Sequence, residues 1–173
     1  MDTFDDPAAT HTFGHRYVFA DLDQTTVSAS VRLNWIFTPR LSLEVFAQPL
    51  LSSGRYSGFK ELARPGSYDF TAYPDPSPTN DPDRIVVDPD GAGGPAASEE
   101  IDDPNFSLAS LRGNAVLRWE YSPGSTLFLV WTQNRSDTET IGTFRTGPAI
   151  DRLFGASADH IFLVKLSYWW NPR

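Results

Sequence analysis

The chain has 173 residues, with 14 Lys and Arg against 22 Asp and Glu, a formal net charge of −8, and no cysteine. That length suits one domain with a sizeable core. The missing cysteines exclude disulfides and any Cys-based zinc, iron–sulfur or redox site, and the acidic balance argues against nucleic acid, which needs a basic footprint.

No run of apolar residues is long enough for a membrane-spanning helix. Met1–Thr12 is acidic and polar and does not read as a secretory signal peptide. From Thr25 to Phe37 the sequence alternates: Val27, Ala29, Val31, Leu33, Trp35 and Phe37 share one face, and Ser28, Ser30, Arg32, Asn34 and Ile36 the other. After the turn Thr38-Pro39-Arg40 the pattern resumes, with Leu41, Leu43, Val45 and Ala47 opposing Ser42, Glu44, Phe46 and Gln48.

Ser52–Asn105 breaks this pattern. It holds 11 of the acidic residues, 4 of the basic ones and 8 of the 14 prolines. Such a stretch is expected to be a long polar loop with at most short extended pieces, such as Arg84–Asp88 around Ile85, Val86 and Val87. A loop of that length is unusual inside a compact soluble domain.

Alternation returns after it. Leu111, Gly113, Ala115, Leu117, Trp119 and Tyr121 oppose Arg112, Asn114, Val116, Arg118 and Glu120. The turn signal Ser122-Pro123-Gly124-Ser125 follows. Leu127, Leu129 and Trp131 then oppose Phe128, Val130, Thr132 and Asn134, and Phe162, Val164, Leu166, Tyr168 and Trp170 oppose Leu163, Lys165, Ser167 and Trp169. Strict period-two alternation means strands with one apolar and one mostly polar face. No segment shows a convincing helical period, so the chain is predicted to be all-β: an antiparallel up-and-down meander with one long polar loop.

A hairpin recurs. Leu33-Asn34-Trp35-Ile36-Phe37-Thr38-Pro39 aligns with Leu117-Arg118-Trp119-Glu120-Tyr121-Ser122-Pro123, and the following strands match as well. Short turns near Pro39 and Pro123 alternate with long connections over 52–105 and about 137–159. In a meander this puts the short turns at one end and the long loops at the other, the asymmetry of outer-membrane barrels. The strands are about as long as the roughly 9–11 residues that a tilted strand needs to cross a bilayer. Arg32, Glu44, Arg118, Glu120 and Lys165 all fall on the polar face, where a lumen tolerates them. A lipid-facing Arg or Lys at the midplane costs about 2–4 kcal/mol. Trp35 and Phe37, Trp119 and Tyr121, and Tyr168, Trp169 and Trp170 end three strands on the short-turn side, as in an interfacial aromatic girdle. These signs point to part of a transmembrane β-barrel, 1–173, with 52–105 as an acidic, Pro-rich extracellular loop.

Five further segments resemble one family: Arg16-Tyr17-Val18-Phe19-Ala20-Asp21-Leu22-Asp23-Gln24-Thr25-Thr26, Phe59-Lys60-Glu61-Leu62, Arg112-Gly113-Asn114-Ala115-Val116-Leu117-Arg118-Trp119-Glu120-Tyr121, Pro123-Gly124-Ser125-Thr126-Leu127 and Tyr168-Trp169-Trp170-Asn171-Pro172. That family comprises bacterial outer-membrane proteins described as carbohydrate-binding family 9 domain-containing, whose barrel region is a domain of unknown function. The resemblance implies a Gram-negative outer membrane, a C-terminal barrel segment with its end in the periplasm, and no established reaction. The final aromatic strand is similar to a C-terminal barrel-targeting strand, with Asn171-Pro172-Arg173 as an added extension. Five or six strands do not close a barrel, for which 8 is the usual minimum. The chain is therefore expected to be a piece of a longer protein or one of several chains sharing a barrel, its partners being outer-membrane lipid and the remaining strands.

Candidate chemistry is sparse. His11, His15 and His160 lack metal-ligand spacing. Asp88-Pro89-Asp90-Gly91 lacks the later ligands of a calcium loop. Glu99, Glu100, Asp102 and Asp103 read as a solvated acidic stretch, and no Gly-x-Ser-x-Gly elbow is present. The Arg32, Glu44, Arg118 and Glu120 set is expected to form cross-strand pairs. No catalytic, cofactor or metal residue is assigned, and a non-enzymatic role in transport or surface binding is expected. Two rivals remain: a soluble β-sandwich or small barrel that binds a carbohydrate or other ligand, and an accessory subunit that pairs edge to edge with another chain.

Overall fold

The structure, a computed structural model, describes residues 2–171. In chain order it contains β1 (Asp2–Asp5), a 3-10 turn (Thr10–Thr12), β2 (His15–Ser28), β3 (Val31–Thr38), β4 (Leu41–Leu62), β5 (Phe70–Ala72), β6 (Ser77–Pro78), β7 (Arg84–Val87), β8 (Glu99–Asp102), β9 (Phe106–Ser122), β10 (Ser125–Glu139), α1 (Thr146–Gly155) and β11 (Ala158–Ser167). The fold is all-β and antiparallel. One sheet has the order β1-β2-β4-β9-β10-β11, with β3 and β5 also paired to β4, and a second holds β6-β7-β8. The chain divides into two compact units. The first is the chain up to Thr25 with Ser53–Ser107 and Thr140–Phe144, and the second is Thr26–Ser52, Leu108–Glu139 and the chain from Arg145.

In the second unit β3 and β4 form the expected hairpin, with Val31 opposite Ala47 and Trp35 opposite Leu43. The single strand expected over Thr25–Phe37 is broken at Ala29-Ser30. Its partner explains the break. Ala29 N–H donates to the Pro49 carbonyl at 3.1 Å, but Pro49 has no N–H to return, so the ladder lapses there. β10 and β11 pair over ten residues, from Thr126 with Ser167 to Arg135 with Ala158. The β9–β10 turn uses Gly124 at φ +77°, and a Cβ there would meet Trp169 Cβ at 3.0 Å.

The sequence reading missed α1. Its signals are Pro148 in the first turn, apolar Ala149, Ile150, Leu153 and Phe154, and a closing Gly155. Ala149 and Leu153 are buried against Ala109, with Leu51 and Leu111 packed alongside. Arg152 Nε ties the helix to β10 through Asp137 (2.8 Å) and Glu139 (2.6 Å).

The first unit corrects the expectation of one long loop over 52–105. β4 runs on to Leu62 and pairs there with β5, Lys60 opposite Ala72, and β6–β8 form their own small sheet, with Ile85 opposite Ile101. The expected extended piece at Arg84–Asp88 contains β7. The few apolar residues of this polar stretch are gathered inward: Phe59, Tyr73, Val87 and Ile101 form a core with Val18. Their separation in sequence, with no period between them, hid this packing. On β4, Gly54 makes room for Phe106, since a Cβ there would lie 2.3 Å from the Phe106 ring.

Beside that core lies a buried charge cluster. Arg16 donates from Nε to Asp6 Oδ2 (2.6 Å) and from Nη1 to both Glu61 oxygens (2.7 and 2.8 Å), all three side chains being at most 8% exposed. Burial works against the Arg16 charge, but the hydrogen bonds to Asp6 and Glu61 outweigh it and hold the guanidinium protonated. The Arg16 hydrogen bond, helped by the Ala8 N–H, keeps the Asp6 carboxyl below its usual range. Burial, then the Glu61 charge, pushes the Tyr73 phenol up, so it stays neutral.

Three outcomes follow from these contacts. Arg16→Met strips Glu61 of its bidentate partner and is expected to cost about 3–5 kcal/mol, read as lost amide-exchange protection at Val18 and Ala20. Because the Asp6 carboxyl sits below its ordinary value of 3.8, its contribution is complete at neutral pH. It should fade as pH falls below that value, lowering the urea midpoint of the first unit. Gly124→Ala combines a left-handed backbone with a clash at Trp169, and should destabilise the β9–β10 hairpin by roughly 1 kcal/mol while shifting the Trp169 indole resonance.

Candidate functional site

Period-two alternation in the second unit puts Arg32 and Asn34 of β3, Glu44 and Phe46 of β4, Arg112, Asn114, Arg118 and Glu120 of β9, Thr132 and Asn134 of β10 and Lys165 of β11 on one face. Phe46 lies at the centre of the most developed part. A depression of about 470 Å³ is lined by Arg32, Asn34, Glu44, Phe46 and Asn114. A second of about 300 Å³ shares Phe46 and Asn114 and adds Arg112, Thr132 and Asn134.

The cross-strand ion pairs expected for Arg32, Glu44, Arg118 and Glu120 are not what the register produces. Arg32 lies opposite Phe46, with its guanidinium carbon 5.4 Å from the ring centroid, and Glu44 lies opposite Asn34. Arg118 and Glu120 are paired along one strand, Nη2 to Oε2 at 3.7 Å, because residues two apart share a face. Glu120 Oε1 also accepts from the Gly124 N–H at 3.3 Å. The arrangement repeats at β10–β11, where Lys165 Nζ lies 5.9 Å from the Phe128 centroid. Asn114 Nδ2 donates to Thr132 Oγ1 at 3.0 Å. Cations held over aromatic rings, together with amides and carboxylates, offer donors and acceptors in quantity. Such a surface suits wetting a wall or holding a polar solute.

On the opposite face, aromatic side chains gather along each strand at the short-turn end. Trp35 stacks on Phe37 at 5.4 Å and Trp119 meets Tyr121 edge-on at 6.1 Å. Glu120 N–H donates to the Arg40 carbonyl across the two turns, and Trp169 N–H donates to Ser125 Oγ at 3.0 Å. Register alone creates a further stack of Trp131, His160 and Phe162 on the apolar side, with Trp131 Nε1 3.1 Å from His160 Nδ1.

The remaining sequence candidates are dispersed. His15 Nδ1 pairs with Asp5 Oδ1 at 2.7 Å, and His11 lies in the 3-10 turn. Asp88 Oδ1 accepts the Asp90 and Gly91 N–H groups, and Asp90 Oδ2 that of Ala96, so these carboxylates shape their own turn. Along Glu99, Glu100, Asp102 and Asp103, Arg84 engages Glu100 (3.0 Å) and Asp102 (3.9 Å), while Asp103 accepts the Asn105 N–H. Among the described residues, no three His, Asp or Glu side chains are grouped to hold a metal ion.

No curated protein and no solved structure matches the chain. The model of one family, described as a domain of unknown function (DUF5916), matches residues 5–171. A match over nearly the whole length covers both units, the polar face and the aromatic strand ends alike, and the chain belongs to the DUF5916 family.

Proposed function

We propose that this chain is a non-enzymatic segment of a bacterial outer-membrane β-barrel. In this reading the apolar face of its second unit lies against lipid and the Phe46-centred polar face lines the lumen of a protein with a transport or surface-binding role. The observation that carries the reading is the exposure of that apolar face. Leu33 is 47% exposed, Val164 67% and Leu166 65%, and they continue into exposed Trp35, Trp119 and Trp170. A contiguous apolar surface of this kind marks a partner or a membrane. Lipid suits it because the strands are long, the opposite face is polar and the aromatic residues gather at one end.

The edges support the same reading. Among the described residues β3 pairs only with β4, and β11 only with β10. Exposed edges of this length demand cover, and in a barrel further strands supply it, from a longer chain or from other subunits. The resemblance to outer-membrane proteins with carbohydrate-binding family 9 domains supports this reading, in which the short turns and the C-terminal strand end face the periplasm. The rival reading, a soluble domain that holds a carbohydrate at Phe46, predicts a covered apolar face.

Val164→Arg and Thr132→Arg separate the two readings, because they put the same charge on opposite faces of neighbouring strands. In a bilayer Val164→Arg should cost about 2–4 kcal/mol and Thr132→Arg far less, measured by urea titration of the chain folded into lipid vesicles. Equal tolerance of both, with a chain that folds as a monomer without lipid or detergent, would refute the membrane assignment.

A further inference from the structure

The only α-helix among the described residues lies on the apolar side of the second unit. Its buried residues rest on Leu51, Ala109 and Leu111, which continue the series of Leu43, Val45 and Leu117. Two large apolar side chains of the helix point elsewhere: Ile150 is 43% exposed and Phe154 63%. A ten-residue helix is marginal by itself, so its orientation has to be imposed. Arg152 does so through Asp137 and Glu139. Arg135 does so as well, with its guanidinium 5.6 Å from the Phe154 ring and Nη1 donating to the Phe154 carbonyl at 3.1 Å. Four charged groups are thus spent on holding a helix with its greasy edge outward. Between helix and sheet runs a groove of about 290 Å³ lined by Val27, Pro49, Leu51, Leu111, Ile150 and Phe154, with Ser28 as the polar side chain of its lining.

The position of this feature is as telling as its chemistry. Along β9 the aromatic end begins at Trp119 and the helix covers Leu111. At about 3.4 Å per residue these are roughly 27 Å apart along the strand. A tilt of about 40° reduces this to roughly 21 Å, close to the apolar band of about 25 Å that outer-membrane barrels present. Beside the helix the same face turns charged, at the Arg135, Asp137 and Glu139 that clamp it. The apolar face is therefore bounded at one end by aromatic side chains and at the other by α1.

We infer that α1 is the second membrane-interface anchor of this chain, with Ile150 and Phe154 set among lipid tails and an acyl chain of the bilayer lying in the groove beside Val27. This rests on the membrane reading above and adds its other boundary, supplied by a clamped helix and not by a second ring of Trp and Tyr. The occupant is an acyl chain because apolar side chains make up nearly all of the groove and it opens onto the face assigned to lipid. The helix lies where amphipathic helices at an interface bury their apolar side.

The absence of cysteine makes site-directed spin labelling direct. The full chain, folded into phosphatidylethanolamine–phosphatidylglycerol vesicles, would carry one label at a time through Val27→Cys, Ile150→Cys or Phe154→Cys. Val164→Cys serves as the lipid reference and Asp90→Cys as the aqueous one. All of these positions are exposed, and two helix positions guard against the loss of one variant. The expected result is that labels at 27, 150 and 154 collide with oxygen and are shielded from a water-soluble nickel chelate, as at 164 and opposite to 90. Nickel access at 150 and 154 with a lipid-like 164 would overturn the anchor and leave the barrel reading standing. Nickel access at 164 as well would overturn both. Shielding of position 27 from both reagents would mean that protein fills the groove, which overturns the acyl-chain occupant.

Discussion

A β-sheet whose side chains alternate between apolar and polar must place its apolar face somewhere, and among the described residues of the second unit only α1 covers part of it. Leu33, Val164 and Leu166 stay exposed while Ala109 and Leu153 are buried beneath the helix. The free energy at stake is large, since burying a Leu or Val side chain is worth about 1.5–3 kcal/mol. Every other property of the unit is arranged around this imbalance: the aromatic strand ends at one boundary, the charged clamp on α1 at the other, and the polar residues turned consistently away.

The first unit solves a different problem. Its segment 52–105 is poor in apolar residues and rich in proline and acid, a composition that tends to stay unfolded. It is ordered by concentrating Phe59, Tyr73, Val87 and Ile101 on Val18 and by tying β4 to β2 through Arg16, Glu61 and Asp6. A buried ion cluster contributes little net stability when complete, yet its disruption is costly. Such a cluster therefore serves to select one pairing of strands over others. The acidic surplus is also partly spent within this unit, where Asp88, Asp90 and Asp103 cap their own turns and Arg84 neutralises the outer side of β8.

The polar face illustrates how a correct assignment of residues to one surface still leaves their contacts open. Arg32, Glu44, Arg118 and Glu120 do share a face, as alternation demands. Which of them meet depends on register, and the β3–β4 register sets Arg32 against Phe46 and Glu44 against Asn34. A signal was present only in part, in the tight Thr38-Pro39-Arg40 turn: it pairs Thr38 with Leu41, and an irregularity between Ile36 and Thr38 then shifts the register by one residue and sets Arg32 opposite Phe46. The Trp131–His160–Phe162 stack had no such signal, since its strands are joined through a long connection that contains α1.

What the sequence by itself determined is local and periodic: strands within 25–37, 41–48, 111–121, 127–134 and 161–170, their two faces, the Pro39 and Pro123–Gly124 turns, and the aromatic residues collected at strand ends. These follow from backbone pleat and turn sterics, which act between near neighbours. Only the tertiary structure decided the lapse at Ala29 opposite Pro49, the core drawn from a proline-rich stretch, the Arg16–Glu61 pair 45 residues apart, and the place of α1 on the apolar face. Each of those requires closing a loop before any contact rewards it. Their partners are therefore chosen by three-dimensional packing, and neither composition nor period carries that information.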